Sequence, residues 1–351
     1  MTVTKCFFLA PLLLSIVFLS ADTALGEDSA LITPDLNPSK TPAIQSGKQI
    51  LLKMTQAMRT LNYQGTIAFL RNGKLEPMKY FHAANNGVEQ ERLLSLNSPL
   101  REIIRDADKV SCLYKAAQQI VVDYRPFERS FLIELPKNLG ELDTIYNIDI
   151  VGEENIAMQL AYVIAITPKD NLRYARKIWL NKQYFLPLKL AVYNFYEGVF
   201  LDKALEQLVF TDMQVIDALP FVEINKPDPN NLGQASYKPQ QQSSNQAGFT
   251  VSKPPHGFKE IFFTRRPLHK AQQPVDHLLL SDGLASVSIY MEHKNNALQS
   301  EATLSKNVQS VGAVNFFSRT LGDFELTVMG EVPALTVKLI AEGVKLKNAG
   351  D

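Results

Sequence analysis

The chain has 351 residues, and its 36 lysines and arginines are matched by 36 aspartates and glutamates. This balance gives no basic surplus to attract nucleic acid. A content of 46% hydrophobic and 21% charged residues excludes a disordered chain.

Lys5, the apolar run Cys6–Ser20 and the small-residue site Ala24-Leu25-Gly26 predict a secretory signal peptide over 1–26, cut after Gly26. The apolar run is shorter than the ~20 residues of a membrane span. Cys6 leaves with this leader, so Cys112 is the only cysteine kept and no intrachain disulfide can form. Removing Lys5 and Asp22 leaves the exported chain neutral, and its roughly 325 residues suffice for two domains. Residues 27–46 carry three prolines and no periodicity, and read as a loose arm.

Ile50, Leu51, Met54, Ala57, Met58 and Leu61 recur at helical spacing and predict an amphipathic helix over 47–61. Strand-length segments follow, at 63–70, 76–83 and 88–96, then in LREIIRDAD, KVSCLYK and QQIVVDY. Asn72-Gly73 and the stretch 84–87 supply hairpin turns, and the whole reads as an antiparallel sheet or barrel. The charges in 91–106 read as ion pairs on the wet side of such elements. One short helix fits in 130–160. Residues 157–168 are apolar on both faces and predict a covered, central strand. RYARKIWLN and LPLKLAVYNF extend the meander, and 197–215 closes it. Along RYARKIWLN the residues Tyr174, Ile178 and Leu180 share a face with Leu172. Arg173, Lys177 and Trp179 share the other, and Arg176 interrupts the apolar face.

Residues 224–247, rich in Pro, Gln, Ser and Asn, read as a linker. It separates a first domain over 47–223 from a second over 248–351. In the second, 277–292 predicts a hairpin in which Ala285, Val287, Ile289 and Met291 alternate with polar neighbours. Residues 323–332 read as a strand and 333–346 as a closing helix with Pro333 in its first turn. The fold class is α+β: a large antiparallel open barrel or curved sheet carrying one helix, then a smaller α+β domain.

Catalytic patterns are missing. No GxSxG, GxxxxGK[ST] or GxGxxG occurs. The five histidines form no HExxH or HxH pair, and with one retained cysteine there is no zinc set. His82 reads as a structural or surface histidine and Cys112 as a small hydrophobe. No cofactor, metal site or catalytic residue is assigned, and the chain reads as a binding protein, not an enzyme.

LNYQG (61–65), His82 with ERLLSL (91–96), REIIR (101–105), YVIAITPKDNLRYARKIWL (162–180), LPLK (186–189), EQLVFTDM (206–213), RRPL (265–268), LLLSDGLASVSIYME (278–292), GEVPALTVKLIA (330–341) and GVKL (343–346) occur in order across both domains. In these segments and their spacing the chain resembles the RseB/MucB family of periplasmic regulators of the sigma-E envelope-stress response. The resemblance implies a lipoprotein-carrier-like first domain of the LolA/LolB type that senses lipid A, lipopolysaccharide or another acyl chain. It implies a second domain that helps bind the periplasmic region of a membrane anti-sigma factor of the RseA/MucA type. Bound there, the protein would shield the anti-sigma factor from its first protease until lipid releases it. A lipid or lipoprotein carrier is the alternative, and a homo-oligomer fits either reading. Family members often carry tryptophan ahead of the entry to the second domain, where this chain has Phe249. For the lipid cavity the candidates are Phe69, Val163, Ile164, Trp179 and Leu188, which read equally well as core. For the anti-sigma-factor contact they are Arg265, Arg266, Ser281, Asp282 and Gly283, of which the last three are also ordinary turn chemistry.

Overall fold

The computed structural model describes residues 45–97, 101–106, 109–114, 119–124, 130–222, 234–237, 242–267, 274–294 and 307–347. The leader over 1–26, nearly all of the arm and much of the linker lie outside the described residues. Met1–Gln45 is one unit and Ser46–Asp351 is a second, compact one.

Helix α1 (Gly47–Thr60) opens the compact unit. Ser46 caps it: its Oγ accepts from the Gln49 amide at 3.3 Å, and the Gln49 side chain accepts from the Ser46 amide at 2.9 Å. Such a reciprocal cap is worth about 1 kcal/mol. Of the stripe predicted from periodicity, Ile50, Leu51, Met54, Ala57 and Met58 are buried, while Leu61 is the half-buried C-cap just past the helix.

The chain then lays down β1 (Asn62–Arg71), β2 (Lys74–Asn85), β3 (Val88–Ser95), β4 (Arg101–Asp106), β5 (Lys109–Tyr114), β6 (Gln119–Tyr124), β7 (Tyr146–Ile156), β8 (Gln159–Pro168), β9 (Ala175–Asn181), β10 (Pro187–Tyr196), β11 (Val199–Ile216) and β12 (Gln234–Tyr237). Among the described residues these make one curved, open sheet in the order β12-β6-β5-β4-β3-β2-β1-β11-β10-β9-β8-β7. Two meanders meet where the 18-residue β11 returns to pair with β1. The Asn72-Gly73 turn has φ of 50° and 71°, the left-handed pair of a tight hairpin. The short helix expected in 130–160 is a single 3-10 turn, Leu139–Leu142. β8 is covered on both faces as expected, yet it stands next to the sheet edge, with β7 outside it.

The segment read as linker contributes β12, which pairs in parallel with β6. Strand addition needs only backbone donors and acceptors, so a segment poor in apolar residues can still join an edge.

The second lobe holds β13 (Phe249–Val251), β14 (Lys259–Pro267), β15 (Pro274–Ser281), β16 (Ser286–His293), β17 (Gln309–Val311), β18 (Val314–Leu321), β19 (Phe324–Gly330), α2 (Ala334–Gly343) and β20 (Val344–Leu346). Its main sheet runs β14-β15-β16-β19-β18-β17. Ala285, Val287, Ile289 and Met291 point into its core together with Val337, Ile340 and Ala341 of α2. Pro333 is the N-cap, one position before the first turn. The closing helix is shorter than its pattern suggested, because Val344–Leu346 leave it to pair with β13. Phe249, at the position where tryptophan was expected, is 2% exposed in this core.

Gly65 sits where β11 bulges against β1, between Thr66 and Ile67. A Cβ there would collide with the Asp212 carbonyl oxygen and press on the Phe210 ring. Gly65→Ala should cost about 1–3 kcal/mol by overpacking. Urea denaturation will check this, and a midpoint equal to that of the parent would contradict it.

Candidate functional site

Two places gather the polar chemistry of the fold: the seam between the lobes and the helix-covered face of the large sheet.

The seam is built around Arg173, which precedes β9 and whose side chain is fully buried. Its Nε donates to Asp282 Oδ2 at 2.6 Å. Its remaining nitrogens reach the Asp170 carboxylate and the His256 carbonyl. Asp282 Oδ2 also accepts from the Tyr146 hydroxyl at 3.0 Å, while Oδ1 accepts from the amides of Leu284 and Ala285 at 2.9 and 2.7 Å. One carboxylate therefore shapes its own turn and receives the other lobe. Burial alone would depress the Arg173 guanidinium. The hydrogen bond and charge of Asp282, helped by Asp170, outweigh that and hold it above the usual arginine value. Burial, and then the Asp282 charge, push the Tyr146 phenol well up.

Further contacts extend the seam. Arg176 pairs with Glu331 at 2.9 Å and reaches the Leu284 carbonyl at 3.4 Å. Asn315 Nδ2 donates to the Tyr174 hydroxyl and to the Val332 carbonyl, both at 2.7 Å. Thr336 donates to the Leu172 carbonyl at 2.7 Å. Glu206, paired with Arg71, accepts from the Ala313 amide at 2.9 Å. Burial raises the Glu206 carboxyl against the pull of Arg71. Arg176, the residue that interrupts the apolar face of its strand, does so because the second lobe seats there. The charges around it are not a solvated side.

The helix-covered face carries a second buried network. Glu91, 1% exposed, accepts from the Tyr80 hydroxyl at 2.9 Å, Arg105 Nε at 3.2 Å, Ser130 Oγ at 2.6 Å and the Phe131 amide at 2.6 Å. The Glu91–Arg105 pair is thus interior, where the charge pattern of 91–106 suggested a wet surface. His82 stacks on Tyr63 at 4.9 Å and bonds the Leu61 carbonyl at 2.8 Å, which is a structural placement. Met54, Thr55, Met58 and Arg59 of α1 face Glu89, Glu91, Ser130 and Ile133–Leu135 across a crevice of about 30 Å³. That volume holds roughly one water, against roughly 300–1,000 Å³ for a small-molecule pocket.

The cavity candidates divide between faces. Strand register places Ile150, Ile164, Ile178, Leu190, Leu208 and Phe69 in one row on the helix side. Phe69 there lies 4.8 Å from the Arg71 guanidinium. Val163 and Trp179 pair on the opposite face, clustered with Leu188. Trp179 is 3% exposed, donates Nε1 to Glu154 at 2.8 Å, and has Lys189 Nζ 4.2 Å from its ring centroid.

The contact candidates divide as well. Ser281, Asp282 and Gly283 form the turn in the seam, with Gly283 at φ 97° against Pro136 and Leu142. Arg265 lies about 20 Å away along the hairpin and holds Asp276 bidentately at 2.6 and 2.9 Å. Arg266 registers with Val275, and its side chain lies outside the described residues. Sequence reasoning did not nominate Tyr146, Arg173, Arg176 or Asn315. The interruption at Arg176 was the one signal that pointed to them. Among the described residues no cluster of three or more metal-ligating side chains occurs, and no helix is long and apolar enough to cross a membrane. Cys112 is buried in β5.

Comparison with known proteins matches residues 46–229 to the MucB/RseB N-terminal domain and residues 243–345 to the MucB/RseB C-terminal domain. A sigma-E factor regulatory protein RseB from Haemophilus influenzae is 26% identical over 304 residues, covering 86% of this chain and 92% of its own. The sigma factor AlgU regulatory protein MucB of Pseudomonas aeruginosa is 26% identical over 321 residues, covering 85% and 90%. The structure described as the MucA/MucB complex of P. aeruginosa aligns with a TM-score of 0.63 at 24% identity, covering 86% of this chain and 99% of that one.

Two measurements test the seam. Asp282→Ala strands a buried guanidinium and should cost about 3–5 kcal/mol, whereas Tyr146→Phe should cost about 1 kcal/mol. Equal denaturant midpoints for the two variants would refute this ranking. The second test uses pH. Burial raises Tyr174 from 10.0 to about 12. A phenol whose folded value lies above its unfolded one contributes stability that is complete below pH 10 and lost as pH rises through the folded value. The melting temperature should therefore fall above about pH 10, and Tyr174→Phe should flatten that fall. An unchanged slope would remove Tyr174 from the account.

Proposed function

The chain belongs to the MucB/RseB family, and from that premise we propose that it is a regulatory binding protein which holds the periplasmic region of a membrane anti-sigma factor. In this reading it shields the anti-sigma factor from its first protease, and a lipid or lipopolysaccharide-type signal releases it. The observation that carries the proposal is the extent of the match. Both family domains are present in order, and the fold aligns along almost the whole of a MucB chain from a MucA/MucB complex. The curated relatives are named as regulatory proteins. In this reading the leader expected over 1–26, cut after Gly26, would export the chain to the compartment of such a partner.

The seam supports one surface shared by both lobes. Its buried ion pair and hydrogen bonds hold the second lobe against the first, an arrangement for which a simple lipid carrier has no need. The Arg265–Arg266 stretch of β14, the end strand of its sheet, is our candidate for the partner's acidic groups. The Ser281–Gly283 turn would act on the partner through the lobes, since Asp282 is already engaged within the chain. For the lipid, the helix-covered face is the candidate, with Ile164 and Phe69 in its floor. Met54 and Met58 supply flexible side chains at its mouth.

Titrating the exported chain into a labelled peptide from an anti-sigma factor's periplasmic region, followed by fluorescence anisotropy, should give micromolar or tighter binding that a lipid A-like amphiphile reverses. Absence of binding at micromolar concentration sinks the reading. The same amphiphile should leave the emission of Trp179 nearly unchanged, because this sole tryptophan faces away from α1. A large shift would move the lipid site to the opposite face of the sheet.

A further inference from the structure

The segment from Ser130 to Tyr146 touches both polar centres. At its first end Ser130 and Phe131 are tied to the buried Glu91 carboxylate, and the Leu132 amide donates to Ser130 Oγ at 3.1 Å. Ile133, Glu134 and Leu135 then wall the crevice against α1. At Pro136 the segment changes neighbours. A Cβ on Gly283 would meet Pro136 at 3.4 Å and Leu142 at 3.5 Å, so these two side chains cradle the turn of the second lobe. Ile145 closes on Gly257, and Tyr146 ends the segment on Asp282. Between its ends the regular structure is one 3-10 turn, with Leu139 and Leu142 buried.

We propose that Ser130–Tyr146 is a strap that couples the crevice under α1 to the seam between the lobes. Leu135, in the crevice wall, and Pro136, in the seat of the Gly283 turn, are consecutive residues. An object that enters between α1 and the strap must lift residues 133–135, and one peptide unit passes that displacement to the lobe contact. Packed interiors transmit such shifts because they hold few voids to absorb them. The coupling is reciprocal, so loosening the seam must loosen the crevice wall by the same factor. The use of this relay in releasing a partner rests on the function proposed above, but the relay itself does not.

Hydrogen exchange on the exported chain, with neither peptide nor lipid present, tests it. Ser130→Ala removes one tie at the first end, and Glu91→Gln weakens both. Each should speed exchange of the Gly283, Leu284 and Ala285 amides by about fivefold or more, the low end of ordinary coupling between sites. Those amides are held by Ser281 and Asp282 and contact none of the altered groups. In the reverse direction, Tyr146→Phe should speed the Phe131 and Leu132 amides. The Ile164 and Ile178 amides should keep the parent's rates. Met78→Ala, on the helix side but not among the residues that line the crevice, is the control. Faster exchange confined to the altered end would overturn the proposal, as would an equal rise at Gly283–Ala285 in the control. If Glu91→Gln unfolds the chain, the Ser130→Ala and Tyr146→Phe pair decides alone.

Discussion

The carboxylate of Asp282 is the contact on which the arrangement of the two lobes depends. Bringing a guanidinium and a carboxylate together out of water costs several kcal/mol per ion, and the Coulomb gain repays this only when the remaining hydrogen-bonding positions are filled. Here they are filled. Asp282 receives Arg173, the Tyr146 hydroxyl and two amides of its own turn, and Arg173 gives its other nitrogens to Asp170 and the His256 carbonyl. An apolar seam could slide with little penalty. A seam whose central groups have one set of partners cannot, because any displacement strands a buried charge. The pair therefore sets where the lobes meet more than how tightly they adhere.

The same logic holds on the helix side. One 14-residue helix covers part of a broad sheet, and the ground beside it is occupied by polar groups. Glu91 is satisfied by four donors that come from β2, β4 and the start of the strap. Both networks have the form of a buried carboxylate that collects partners distant in the chain. Such centres are costly when half satisfied and rigid when complete. The strap joins one to the other, so the two are not independent pieces of scaffolding.

Much of the local structure was legible in the sequence. Helical spacing located α1 and its buried stripe, alternation located β16, and an apolar run on both faces located the covered β8. The Asn-Gly turn marked the β1–β2 hairpin. The order of strands was not legible, since the pairing of β1 with β11 joins residues more than 130 apart and leaves no local trace. Nor was β12, since backbone pairing at a sheet edge needs no apolar pattern. Charge misled most. Glu91 and Arg105 read as an ion pair on the wet side because single charges are usually solvated, and nothing in the sequence marked Arg173 or Asp282 as interior, yet each of the four is buried against a partner 11 or more positions away. Arg176 was the exception that could be seen: a cation on an otherwise apolar face requires an acceptor, and the acceptors are Glu331 and the Leu284 carbonyl of the other lobe. For the candidate site, the sequence therefore located the Ser281–Gly283 turn but not the direction in which it faces.

That direction changes what the turn can do. Read as an exposed hairpin loop, it would meet a partner directly. Seated on Pro136, Leu142, Arg173 and Tyr146, it meets its own first lobe. A regulator that must hold one protein until a second signal arrives needs two surfaces and a connection between them. A turn exposed to solvent could supply a surface. A turn locked into a seam, on a seat one residue away from the wall of a crevice, supplies the connection.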